Sequence, residues 1–206
     1  MDLRIVRRLG KQTLTEQELV EGCKRGDDLA RRQLYERYAG KLMAICMRYM
    51  GNREEAEDLL HDGYIKLYDS FDKFEWQGEG TLPAWMARVM ANLALQRLRK
   101  NDVMSQSVEL ENTAELRDDV DRPDEGPDIE IIPKKVLMQF IEELPPGYRA
   151  VFNMHVFEGK NHIEIGKELG INNKSSASQL VRARAILKER VNEWRRNNGY
   201  GYERAR

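Results

Sequence analysis

Side chains able to recognise a ligand are concentrated in one stretch, NKSSASQLVRARAILKERV, residues 173–191. Lys174, Ser176, Ser178, Gln179, Arg182 and Arg184 fall within roughly three helical turns, and Lys188 and Arg190 follow. Hydroxyls and amides near a helix start, with arginines behind them, are the groups that bond base edges and phosphates. Ala177 and Val181 interleave with them on the groove-facing side. Chemistry of the bond-making kind has no such focus. His61, His155 and His162 are scattered, and no nucleophile motif, phosphate loop or paired catalytic carboxylate setting accompanies them. Cys23 and Cys46 have neither metal-ligand spacing nor a disulfide framework around them. A chain without catalytic residues, cofactor or metal is expected.

The basic run needs a scaffold, and the preceding residues supply one. HIEIGKEL, His162–Leu169, reads as a short helix opened by the capping box Asn161-His162-Ile163-Glu164 and stopped by Gly170. Ile171 suits the angle between helices, and a longer helix begins near Ser175. Gly166 is placed for close approach, while Ile163, Leu169, Leu180 and Leu187 are expected in the core. This is a helix-turn-helix pattern, which presents the start of its second helix to a major groove. A helical hairpin with an ordinary solvated basic face is the competing reading, and His162 by itself suits a surface capping turn.

Net charge supports the first reading once it is taken by segment. The 206 residues hold 34 Lys and Arg against 35 Asp and Glu, a balance of −1. Residues 101–132 alone contain 11 acids and two basic residues, Arg117 and Arg122, whereas 133–206 contain 14 basic residues and 8 acids. The acidic strap also carries Pro123, Gly126 and Pro127, and it cannot bury enough apolar surface to offset its ordering entropy. A mobile linker is predicted there, between a domain at 1–100 and another at 133–206. With apolar residues at 41% and aromatics at 8%, and with no run of strand period, both domains should be all-α. No apolar run approaches the roughly 20 residues of a membrane span, and Met1-Asp2-Leu3-Arg4 lacks a leader's apolar stretch, so a cytoplasmic chain is expected.

The first domain reads as successive capped helices. Thr15-Glu16-Gln17-Glu18 is a capping box; Asp27 and Asp28 open a long helix bearing Leu29, Leu34, Tyr35, Tyr38, Leu42, Ile45 and Tyr49 at helical period. Gly51 ends it, Asn52 caps the next, and Pro83 suits the first turn of a helix reaching about Lys100. Two surfaces stand out. Asp58, Leu59, Asp62 and Lys66 give one helical face two acids beside an apolar residue. Arg88, Asn92, Gln96 and Arg99 form a polar stripe after the loop FEWQGEGTL, where Trp76, Gln77 and Gly78 could face an unpaired base. Core packing is the plain reading for Trp85, and it competes evenly for Trp76.

From about Leu14 to Val191 the chain resembles the extracytoplasmic-function (ECF) sigma factors of bacterial RNA polymerase. LTEQELVEGCKRGDDLARRQLYERY resembles the family's opening segment, and DLLHDGYIKLYDSFDKF its polymerase-binding helix. LPAWMARVMANLALQRLRK is similar to the −10 element helix, and LPPGYRAVFNMHVFEGKNHIEIGKELGI with SQLVRARAIL to the −35 element domain. The resemblance implies that Asp58, Leu59, Asp62 and Lys66 dock on clamp helices of the polymerase's largest subunit. It implies that Trp76, Gln77, Gly78, Arg88, Asn92, Gln96 and Arg99 read the −10 element. Lys174, Ser176, Ala177, Ser178, Gln179, Val181, Arg182, Arg184 and Lys188 would then read the −35 duplex. His61 and Tyr64 stand where the family usually has glutamine and phenylalanine, a departure from the family's pattern on this face. Core polymerase and promoter DNA are the implied partners, with room for an anti-sigma factor. A two-domain regulator that binds duplex without polymerase remains the alternative.

Overall fold

In the computed structural model the described residues are 13–100 and 131–199, and all their regular structure is helical. The strap lies outside them except for its last two residues, of which Ile132 is already buried. The order is α1 (Glu16–Lys24), α2 (Asp28–Met50), α3 (Arg53–Tyr68), a 3-10 turn (Phe71–Lys73) and α4 (Thr81–Lys100). After the strap come α5 (Lys134–Glu142), α6 (Pro146–Val156), α7 (His162–Leu169) and α8 (Asn173–Asn197).

Local signals set the helix starts. Thr15 and Glu18 close a reciprocal capping box on α1, Asp27 accepts from the Ala30 amide, and Asn52 accepts from the Glu55 amide. Gly51 caps α2 at φ +75°, its amide bonding Met47 O. The helix α2 is the spine of the first domain, packed against α1, α3 and α4. Leu34, Tyr38, Leu42, Cys46 and Tyr49 line its inward face. Leu29 and Tyr35, which share the predicted apolar period, are 59% and 49% exposed, because the buried stripe turns past them. Against α2, Gly63 lets α3 approach α4: a Cβ there would lie 2.1 Å from Met90 Sδ.

The second domain wraps α5, α6 and α7 around α8. Its core does not stand apart. Ala150, Val151, Met154, Ile165, Leu169 and Leu180 join the apolar cluster of the first domain, while Leu144, Tyr148 and Ala183 form a smaller cluster within the second. The helix α2 packs on both α5 and α6 to make that join.

Candidate nucleic-acid interface

The helix-turn-helix forms over the residues expected. Asn161 Oδ1 accepts the Ile163 and Glu164 amides at 3.0 Å, and the Glu164 carboxylate returns the bond to the Asn161 amide. Gly170, at φ +72°, turns the chain; then Ile171 N donates to Gly166 O at 3.0 Å and Asn172 caps α8. A Cβ on Gly166 would meet Ile171 O at 2.7 Å, so the backbone of the turn leading into α8 is what comes close. Leu169 and Leu180 are buried and Leu187 half-buried, but Ile163 is 72% exposed. Its neighbour Ile165 takes the core position instead.

Along α8, Lys174, Arg184 and Lys188 are exposed, while Ala177, Ser178, Val181 and Arg182 are half-buried. Arg182 Nη1 donates to the Tyr148 hydroxyl at 3.3 Å, which ties one guanidinium nitrogen to α6. Ser176 and Gln179 are fully buried, which removes them from the reading face. The reason is helical phase: 176, 179, 180 and 183 make one inward stripe with Leu180 and Ala183. Ser176 Oγ instead meets His162 Nδ1 at 2.9 Å. His162 is half-buried and stacks on His155 with centroids 5.1 Å apart, so two histidines distant from catalysis become a structural pair. Burial, then the nearby His155 and Arg184, hold the His162 pKa below its ordinary value.

In the first domain the polar stripe is complete: Arg88, Asn92, Gln96 and Arg99 are all exposed on α4. Arg99 Nη1 donates to Glu168 O of α7 at 3.1 Å. Beneath the preceding loop, Trp85 stacks on Phe74 at 4.5 Å and meets Phe71 edge-on at 5.1 Å, which is core packing. Trp76 is half-buried, its indole nitrogen shielded and without a hydrogen-bond partner. Gln77 is exposed and Gly78, at φ +119°, half-buried. The loop is fastened by groups that sequence reading missed. Thr81 Oγ1 donates to Gly78 O at 2.6 Å, and both Glu16 carboxylate oxygens accept from the Gly80 amide, at 2.9 and 3.1 Å. Glu16 belongs to α1, and nothing local in the sequence connects it to a glycine 64 positions away.

On α3, Asp58, Asp62 and Lys66 are exposed, with Asp62 paired to Arg97 of α4. Leu59 is fully buried, so it belongs to the interior and not to a docking face. The apolar component beside those acids comes from elsewhere. Tyr35, Met43, Leu60 and Tyr64 line a groove between α2 and α3 that also includes His61, and Ile65 stands 50% exposed. Burial pushes the Cys23 thiol up to about 11 and that of Cys46 up to about 12, which keeps both protonated and unreactive. Among the described residues no cluster of His, Cys, Asp and Glu could hold a metal, and no helix is long and apolar enough to cross a membrane.

A helix-turn-helix joined to an all-helical domain with a polar stripe and a fastened tryptophan loop defines a two-domain DNA-binding protein. Residues 34–103 match sigma-70 region 2, and residues 134–187 match sigma-70 region 4. The chain belongs to the sigma-70 family, as an RNA polymerase sigma factor of the ECF type. It is 25% identical over 187 residues to the ECF sigma-E factor of Haemophilus influenzae, covering 87% of this chain and 97% of that one. It is 26% identical over 182 residues to SigW of Bacillus subtilis, covering 84% and 95%. Among solved structures, the sigma factor RpoE of Bartonella quintana, co-crystallised with the anti-sigma factor NepR, covers 78% of this chain and 95% of its own. Its TM-score is 0.44 at 18% identity. A sigma factor is not a catalyst; it binds core polymerase and directs it to promoters through regions 2 and 4.

Proposed function

We propose a division of that work among named surfaces. The domain at 1–100 binds core polymerase through Asp58, Asp62 and Lys66 together with the Tyr35–Met43–Tyr64 groove, and opens the −10 element. The domain at 133–206 reads the −35 duplex through Lys174, Ala177, Ser178, Val181, Arg182, Arg184 and Lys188. The observation that carries this reading is the α4 stripe: four exposed polar side chains on one face, beside a tryptophan loop that turns through Gly78 and Gly80 at positive φ. A regulator that only grips duplex has no use for such a surface, whereas strand opening needs donors for an unpaired base and cations for phosphates. On this reading Asn92 bonds the exposed base edge while Arg88 and Arg99 hold the displaced strand's phosphates.

The test adds the full chain to core polymerase lacking any sigma factor and measures run-off transcription from candidate promoters. Specific transcripts support the assignment. Operator binding by the chain alone, with no transcript from any template, overturns it in favour of a polymerase-independent regulator.

A further inference from the structure

Two helices of this chain begin with a complete capping box, Thr15 with Glu18 on α1 and Asn161 with Glu164 on α7. The helix α4, which bears the polar stripe, cannot build one. Its N-cap position is Gly80, which has no side chain, and its third residue, where a box places the carboxylate, is Pro83. No acid stands in the first turn of α4.

The missing carboxylate is delivered from α1. Glu16 accepts the Gly80 amide with both oxygens, at 2.9 and 3.1 Å, which sets a negative charge at the positive pole of a 20-residue helix. Glu16 is itself held in place. Tyr38, 5% exposed on α2, donates its hydroxyl to Glu16 Oε1 at 3.4 Å. Two residues earlier, the Leu14 amide donates to Gln33 Oε1 at 3.0 Å, and Arg37 donates to the Leu14 carbonyl. Leu19, Val20 and Cys23 are buried where α1 packs on α2.

The same carboxylate governs the loop. Gly78 and Gly80 stand at φ +119° and +88°, a backbone shape that only glycine adopts readily. A Cβ on either would meet nothing within 4 Å, so neighbours do not wedge the turn into place. Hydrogen bonds and one packed ring hold it instead. Thr81 Oγ1 donates to Gly78 O at 2.6 Å and accepts from the Gln77 amide at 3.4 Å. Trp76, packed against the core, anchors one side of the turn, and Glu16 fixes the other.

The match to sigma-70 region 2 spans residues 34–103, so Tyr38 and Gly80 lie inside it and Glu16 lies outside. We propose that Glu16 is a positioning residue for −10 recognition, holding the Gly78–Gly80 turn and the start of α4 in the shape that receives an unpaired base. On this account α1 is part of the strand-opening surface, although Glu16 touches no nucleotide. Its charge would repel nearby phosphates if it swung free, and it is absorbed on the Gly80 amide and the Tyr38 hydroxyl. The inference rests on the −10 reading of the α4 stripe.

The test uses the full chain bound to core polymerase, with fork-junction DNA that presents the −10 bases unpaired and carries an abasic site at each position in turn. Wild type should bind the intact fork about tenfold better than the fork abasic at one position, the worth of one stacked base. Glu16→Ala should shrink that ratio to about twofold, a loss of the size one hydrogen bond contributes, at unchanged affinity for the abasic fork. Glu16→Gln keeps an acceptor oxygen without the charge and should fall between, and Tyr38→Phe, which keeps the ring, should shift the ratio the same way. A wild-type ratio in Glu16→Ala, or an equal loss on intact and abasic forks, overturns the positioning role. Should Glu16→Ala unfold α1, the other two variants carry the test, and a wild-type ratio in both overturns the role. No ratio in wild type at any position removes the −10 reading, and the positioning role with it.

Discussion

Replacing Gly166 by alanine should destabilise the chain, although the same change in an exposed helix interior stabilises. Helix propensity favours alanine by about 1 kcal/mol. Against that stands the new methyl, 2.7 Å from Ile171 O and 3.5 Å from the Asn172 carbonyl carbon and the Asn173 nitrogen. Overpacking of this kind costs about 1–3 kcal/mol, and the upper half applies where the obstacle is main chain that cannot rotate aside. The turn cannot simply recede, because Ile171 N bonds Gly166 O at 3.0 Å and Asn172 must still cap α8. The net is a loss of about 1–2 kcal/mol, or about 2–8 °C in Tm for a chain of this size. Gly40 supplies the control: it is exposed within α2, and a Cβ there meets nothing within 4 Å. Gly40→Ala should therefore raise Tm by about 2–4 °C. Thermal unfolding followed by circular dichroism reads both signs in one experiment. If Gly166→Ala stabilises as Gly40→Ala does, the helix-turn-helix angle is not set by this contact.

Asp62→Arg should weaken binding to core polymerase by about tenfold, equivalent to about 1.4 kcal/mol, with helicity unchanged; equal affinity would remove the α3 face from the interface. Arg182→Ala should cost about 1–3 kcal/mol of −35 duplex binding and relax base preference, whereas a uniform loss on every sequence would make it a phosphate contact. Asn92→Ala and Glu16→Gln should both impair strand opening in permanganate footprints while core affinity holds, the first by removing a base contact and the second by loosening the Gly80 amide. Normal footprints in both would return the loop to a structural role. Since the folded chain depresses the His162 pKa, the unfolded chain takes up the proton first as pH falls. Stability is then full above the ordinary value of 6.5 and declines below it, and denaturant midpoints should fall on acidification in wild type but less so in His162→Asn.

What the sequence makes legible here is what neighbours decide. The boxes at Thr15 and Asn161, the cap at Asn52 and the turn at Gly170 involve partners within four residues, and each forms where its spacing predicts. Phase is harder. Ser176 and Gln179 look like base readers by type, yet the Leu180 and Ala183 positions assign them to the inward stripe. The inward phase lies in the spacing, while side-chain type alone points outward. Leu59 fails in the same sense, assigned to a docking face and found buried, and Ile163 in the opposite one, since an apolar residue at helical period does not say which neighbouring element will cover it. Glu16 on Gly80 and Arg149 on the Tyr49 and Met50 carbonyls of α2 lie beyond any such argument, because their acceptor or donor is main chain. A carbonyl or amide has the same identity at every position, so a contact built from them leaves no mark at one of its two ends. Only the side-chain partner carries a trace, and Arg149 is one basic residue among 14 in its domain. The seam between the domains does leave one further mark: a glycine at 51 that ends α2 in the left-handed region and also makes room for the guanidinium. Read alone, it is an ordinary helix stop. Its second duty becomes visible only when α6 is brought against it, which is why two separate domains were legible in the sequence and their closure was not.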